Sequence, residues 1–274
     1  MKVRIKFQKF GTMKFVGHLD VMRYFQKAFR RSEFDSEYTK GYHPHQIMSF
    51  AAPLGVGLTS DAEYVDIQLL TSDSPEIMIQ RLNAVLTEGC NIIDFHPLID
   101  REEHQKAVTA MSLVTTADYL VSLKDGYLIS DAINSKKEFE EAFQKFMELP
   151  EILIDKKTKK SEKVVDIKQL VNFMDFDEKL FEGKCQAAKV ESFDETDSKE
   201  KMESVADVYQ NGIKVFMQID TGSASNLKPE LVLEAFHNHI GAPFNVFAWQ
   251  VHRLEVYTKD EESGKLAALN QVDR

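Results

Sequence analysis

The chain is poor in cysteine, with only Cys90 and Cys185 among its 274 residues. So wide a separation excludes a CxxC redox pair, a zinc quartet and a three-cysteine iron–sulfur motif. Two isolated thiols read as reduced structural residues of a cytoplasmic protein. Long apolar runs are also missing. The longest nearly apolar stretch, Ile47 to Leu58, is broken by Pro53, Gly55 and Gly57, and a bilayer span needs about 20 residues. Residues 1–10 alternate charged and apolar side chains without a continuous hydrophobic segment, so neither a cleaved secretion signal nor a membrane partner is expected. P-loop, GxGxxG, GxSxG and HExxH patterns are absent as well, and no cofactor is expected.

What is present suffices for a sizeable core: 43% of residues are hydrophobic and 28% charged. At about 150 residues per domain, the length suggests two domains. The net charge of −10 is unevenly spread. Residues 1–50 carry ten Lys and Arg (Lys2, Arg4, Lys6, Lys9, Lys14, Arg23, Lys27, Arg30, Arg31, Lys40) against Asp20, Glu33, Asp35 and Glu37. A basic end on an acidic chain points to an anionic partner for that region alone.

Val3, Ile5 and Phe7 alternate with Lys2, Arg4 and Lys6, the period of a half-buried strand. A short extended piece, Met13 to Val16, leads to a helix over 18–31, with Leu19, Met22, Phe25 (or Gln26) and Phe29 facing the core. Extended segments at 47–52 and 63–69, a proline-started helix over 75–86 and a strand over 91–95 follow. The order strand, helix, strand, strand, helix, strand is that of a ferredoxin-like split βαβ sandwich.

The second half runs through a similar order: strands at 117–123, 152–155, 164–171, 213–220 and 248–257, and helices at 136–149 and 229–239. Val65–Leu69 and Val165–Leu170 look alike, a weak sign of duplication. The expectation is therefore α+β, with two ferredoxin-like domains over 1–105 and 110–258. An acidic insertion at 182–210 is read as exposed over 191–207, and 259–274 as a loose tail.

The most distinctive segment is Tyr38-Thr39-Lys40-Gly41-Tyr42-His43-Pro44-His45. Fixed His and Lys side chains on a rigid loop suit phosphate binding or proton transfer, and its tyrosines suit base stacking. His43 and His45 fall short of the three or four ligands zinc takes. His18 is the one further histidine that folding could bring near, and no metal is assigned. Arg23, Lys27, Arg30 and Arg31 share one helix face. In a two-layer fold that face and the far sheet face with Lys2, Arg4 and Lys6 point opposite ways, so one ligand cannot easily use both.

A second candidate anion site is the strand–loop–helix junction Asp220 to Glu230, with Ser223, Ser225, Asn226 and Lys228. A simple helix cap at Asn226 is the competing reading. His237 and His239, near a helix end, read as partners of the helix dipole.

Val3-Arg4-Ile5-Lys6-Phe7, Lys14-Phe15-Val16-Gly17-His18-Leu19-Asp20, Arg30-Arg31, Tyr38 to His45, Ser49-Phe50-Ala51, Glu63-Tyr64-Val65-Asp66 and Gly222 to Glu230 occur in the order of a known family. Over about residues 1–257 the chain resembles the radical-SAM-linked domain of unknown function. It departs from that pattern at Gly17, where serine is common, at Gln46, where proline or lysine is expected, and at Lys228, in place of arginine. The resemblance implies a radical-SAM protein as partner, encoded beside or fused to such domains.

Together these features predict a non-catalytic accessory module that presents RNA to a radical-SAM modifying enzyme. The contacts expected are Arg23, Lys27, Arg30, Arg31, Lys40, Tyr42, His43 and His45, with Ser223, Ser225, Asn226 and Lys228 as the second set. One alternative is an acid–base enzyme or subunit acting on a phosphorylated ligand through His18, His43 or His45. Another is a protein scaffold for the radical-SAM partner.

Overall fold

A computed structural model describes residues 1–99, 108–157, 162–190, 203–222, 225–260 and 263–272. The chain forms an α+β protein that divides into two compact units. Unit 1 comprises 1–114, 189–206 and 253–274, and unit 2 comprises 115–188 and 207–252. The first segment of unit 1 ends at 114, and the chain re-enters that unit twice.

In unit 1 the order is β1 (Lys2–Lys9), α1 (His18–Arg31), β2 (Met48–Phe50), β3 (Thr59–Gln68), α2 (Pro75–Asn83), β4 (Cys90–Pro97) and the short α3 (Ala110–Leu113). The expected extended piece before α1 is a 3-10 turn, Gly11–Phe15. Strand β1 pairs antiparallel with both β3 and β4, and β2 pairs antiparallel with β3. Alternation puts Val3, Ile5 and Phe7 on one face, where they pack with Val65, Ile67, Ile92 and Phe95 beneath Val21, Phe25, Ala28 and Phe29 of α1 and Met78 and Leu82 of α2. Leu19, expected in that core, is 61% exposed; the buried stripe of α1 is the one centred on Phe25.

The other face of β1 is not an open basic surface. Arg4 is fully buried and grips Asp66 with two bonds, Nε to Oδ1 at 2.8 Å and Nη2 to Oδ2 at 3.2 Å, while Nη1 donates to the Leu269 carbonyl at 2.8 Å. Lys2 Nζ lies 3.0 Å from Asp66, and Lys6 Nζ 2.6 Å from Glu255. Tyr64 donates to Glu255 at 2.6 Å, and Asn270 donates to Asp94 at 2.6 Å. Internal carboxylates therefore neutralise three cations that the sequence assigned to a basic segment.

Unit 2 contains β5 (Thr116–Leu123), α4 (Lys136–Met147), β6 (Leu153–Lys157), β7 (Glu162–Asp166), β8 (Val171–Asp175), α5 (Glu178–Ala188), β9 (Lys214–Asp220) and α6 (Pro229–His239). Strand β10 (Trp249–Lys259) begins in unit 2, and its residues from Arg253 onward belong to unit 1 with β11 (Leu266–Ala268). The sheet order here is β10-β5-β9-β8, and β6 and β7 form a separate two-stranded hairpin. The strand expected at 164–171 is split because Asp166 Oδ1 accepts the Ile152 and Lys168 N–H groups at 2.9 and 3.0 Å, turning the chain between β7 and β8. Val65–Leu69 and Val165–Leu170 therefore occupy different kinds of structure, and their likeness does not mark equivalent strands.

Part of the insertion read at 182–210 is ordered: α5 runs to Ala188 and buries Phe181 and Cys185. Its residues 191–202 lie outside the described residues. The tail expected to be loose is packed where it is described. Leu266–Ala268 pairs with Tyr257–Lys259, and Leu269 is fully buried.

No described helix is long and apolar enough to cross a membrane.

Candidate functional site

Helix α1 begins at His18 after Gly17 and exposes Arg23, Lys27, Arg30 and Arg31 on the face opposite its core stripe. Arg23 meets Asp20 at 3.0 Å, with both side chains about two-thirds exposed, so the pair contributes little. Arg31 Nη2 donates to the Val85 carbonyl at 3.0 Å, tying α1 to the segment after α2. Lys27 and Arg30 form no ion pair among the described residues and remain open to a ligand.

The Tyr38–His45 segment is a hairpin closed by a Tyr38–Gln46 bridge. Thr39 N donates to the His45 carbonyl at 2.9 Å, and His45 N donates to Thr39 Oγ1 at 3.1 Å. His45 Nδ1 also lies 3.1 Å from Thr39 Oγ1, so its ring helps close the loop. Gly41 has φ +125°, a left-handed-side conformation suited to glycine. The tip carries Lys40, Tyr42 and His43, all exposed, and Tyr42 makes full contact with solvent at 101% relative exposure. These groups are presented by a hairpin with its own hydrogen bonds.

His18 lies elsewhere, in a small open pocket whose enclosed space holds about one water molecule. The lining is Phe7, Lys9, His18, Val21, Phe50, Pro53, Leu54 and Glu63, without His43 or His45. Its ring packs edge-on to Phe50 at 5.3 Å, and burial pushes its pKa down, favouring neutral imidazole. Lys9 and Glu63 are each 4% exposed. Lys9 Nζ donates to the Val16 carbonyl at 3.2 Å, and Glu63 is ion-paired with Arg253. Burial pushes the Lys9 pKa down and that of Glu63 up, in each case against the pull of nearby opposite charge.

Neither Lys9 nor Glu63 was a sequence candidate. A signal for them existed: Val3, Ile5, Phe7 and Lys9 share one parity of β1, and Glu63, Val65 and Ile67 share one of β3. In each row a charge stands where the core pattern calls for an apolar side chain.

Cys90, paired with Lys9 across β1 and β4, has its thiol pushed up to about 12, mainly by burial and also by the Glu63 charge. A thiol reagent at pH 8 is expected to modify Cys90 only as fast as the protein opens, far below the rate in denaturant. Because the folded thiol keeps its proton while the unfolded one ionises near 9.0, stability is expected to fall as pH rises from about 9 toward 12. Alkylation of native Cys90 at the denatured rate would contradict this.

In unit 2 the junction before α6 is shaped by backbone bonding. Leu227 N donates to the Asp220 carbonyl at 2.8 Å, and Thr221 bridges Asn226. The N-cap of α6 is Lys228 with no side-chain cap, so Asn226 is not the cap; Pro229 opens the first turn. Ser225 is half-buried, Asn226 and Lys228 are exposed, and Ser223 lies outside the described residues. His237 is not a helix-dipole cation. It is buried, accepts the Trp249 indole N–H at Nε2 over 3.2 Å, and burial pushes its pKa down. Among the described residues no three His, Cys, Asp or Glu side chains gather for a metal ion.

A family model described as an uncharacterized protein conserved in bacteria matches residues 2–229. No curated protein matches the chain.

Proposed function

Since the chain belongs to that family of uncharacterized bacterial proteins, we propose that it is a non-catalytic accessory module that holds RNA for a radical-SAM modifying partner in the cytoplasm. The partner rests on the sequence resemblance to radical-SAM-linked domains. The RNA reading rests on one observation above the others: an aromatic ring, Tyr42, stands fully in solvent on a bonded hairpin between Lys40 and His43. Base–aromatic stacking on such platforms tolerates any base, and neighbouring cations track the phosphates. The exposed Arg23, Lys27, Arg30 and Arg31 supply a second group of cations.

The scaffold behind this reading is a pair of ferredoxin-like units arising by duplication. Two features support it. In unit 1 the strand order is β4-β1-β3-β2, and in unit 2 it is β10-β5-β9-β8. Numbering the four strands of each unit by chain order gives 4-1-3-2 twice, with the β6–β7 hairpin and α5 as additions in the second.

The test compares RNA affinity of the wild type with two variants. Tyr42→Ala is expected to weaken binding about 5- to 150-fold, the range for one lost stacking platform. The double variant Lys27→Glu, Arg30→Glu changes no described bond, and it is expected to make the salt slope shallower by about 1.4, two single-strand phosphate contacts. Affinity and slope unchanged in both variants would sink the reading.

A further inference from the structure

We propose that the pocket beside His18 is a binding site for the carboxylate head of a small apolar acid, with Lys9 as its anchor. Lys9 carries an ammonium with three donors at a position 4% exposed. Only one donor is used, to the Val16 carbonyl at 3.2 Å, and Lys9 forms no ion pair among the described residues. The nearest compensating charge, Glu63, is committed to Arg253. A buried ammonium with unmet donors is costly, so a cation kept at such a site needs an acceptor from outside.

The surroundings narrow the ligand. His18, beside Lys9 and favoured as neutral imidazole, offers one further hydrogen bond without adding charge. Phe7, Val21, Phe50, Pro53 and Leu54 form the remaining wall apart from Glu63. Glu63 repels a second negative charge and only one uncommitted cation is present, which disfavours a phosphate dianion and favours a monocarboxylate. The pocket is open on one side, and the body of the acid would leave through that opening.

This site is separate from the exposed hairpin and is independent of the RNA reading. Calorimetric titration of the full chain with benzoate, benzamide and inorganic phosphate tests it. Benzoate is expected to bind at one site, with benzamide and phosphate each at least about 10-fold weaker, the size of a charge-assisted hydrogen bond lost. Lys9→Met is expected to reduce benzoate affinity by a similar factor, and benzoate to raise the melting temperature of the wild type alone. The selectivity of the wild type needs no variant to fold. Benzamide or phosphate binding as well as benzoate, benzoate failing to bind, or Lys9→Met leaving its affinity intact would each overturn the assignment.

Discussion

Asp66→Ala is expected to lower the unfolding free energy by about 3–5 kcal/mol, the cost of breaking a buried ion pair from one side. Asp66 is 2% exposed and accepts from Arg4 twice, from Lys2, and from the Ala110 N–H at 3.0 Å. Its removal leaves the fully buried Arg4 guanidinium without its bidentate carboxylate. Replacing both partners, as Arg4→Met with Asp66→Leu, is expected to cost far less, because the uncompensated charge disappears with the pair. Urea unfolding of the three proteins checks this through the midpoint and slope. An Asp66→Ala protein as stable as the wild type would show that Arg4 is solvated, and would return β1 to the set of surface cations.

The second large effect lies in unit 2. Phe236→Ala is expected to cost about 3–5 kcal/mol through lost burial and the cavity left behind. Phe236 is fully buried, with its ring centroid 5.8, 5.1 and 5.7 Å from those of Phe139, Phe143 and Phe146. Three α4 side chains thus meet one from α6. Thermal unfolding with two probes would record the loss. A Phe236→Leu protein should recover part of it, and a loss below 1 kcal/mol in Phe236→Ala would contradict the packing described.

Long periodic elements were legible in the sequence for a physical reason. Helix α1 runs from His18 to Arg31 as its pattern requires, and α4 buries Phe139, Phe143 and Phe146 on one side. Its start is set by a capping box: Ser135 Oγ accepts the Glu138 N–H, and Glu138 accepts the Ser135 N–H. What escaped depends on long-range partners. Leu19 has the spacing of a core residue, but the stripe that α1 buries is Val21, Phe25, Ala28 and Phe29, and spacing alone does not choose between the two. Lys2, Arg4 and Lys6 read as a solvated row because alternation does not tell which side water occupies. Asp66, Glu255 and Leu269, far along the chain, cover that side.

The candidate site was legible in the same uneven way. The Tyr38–His45 segment stood out by composition, and it is an exposed hairpin. The pocket residues Lys9 and Glu63 did not stand out, since each is an ordinary charge in an alternating strand and is unusual only once burial is known. His18, grouped with His43 and His45 by residue type alone, belongs with Lys9 and Glu63. Helix α5 was hidden because acidic and lysine residues mask the two side chains, Phe181 and Cys185, that it buries.

The central claim is that the surface cations and Tyr42 hold RNA. Its most direct test is the affinity of the purified wild-type chain for single-stranded RNA across a salt series, with mixed cellular RNA as competitor. Contacts from Arg23, Lys27, Arg30, Arg31 and Lys40 would give a slope of log affinity against log salt of about −3.5, with binding that resists competitor. A flat salt response, or no binding at low salt, would contradict the account.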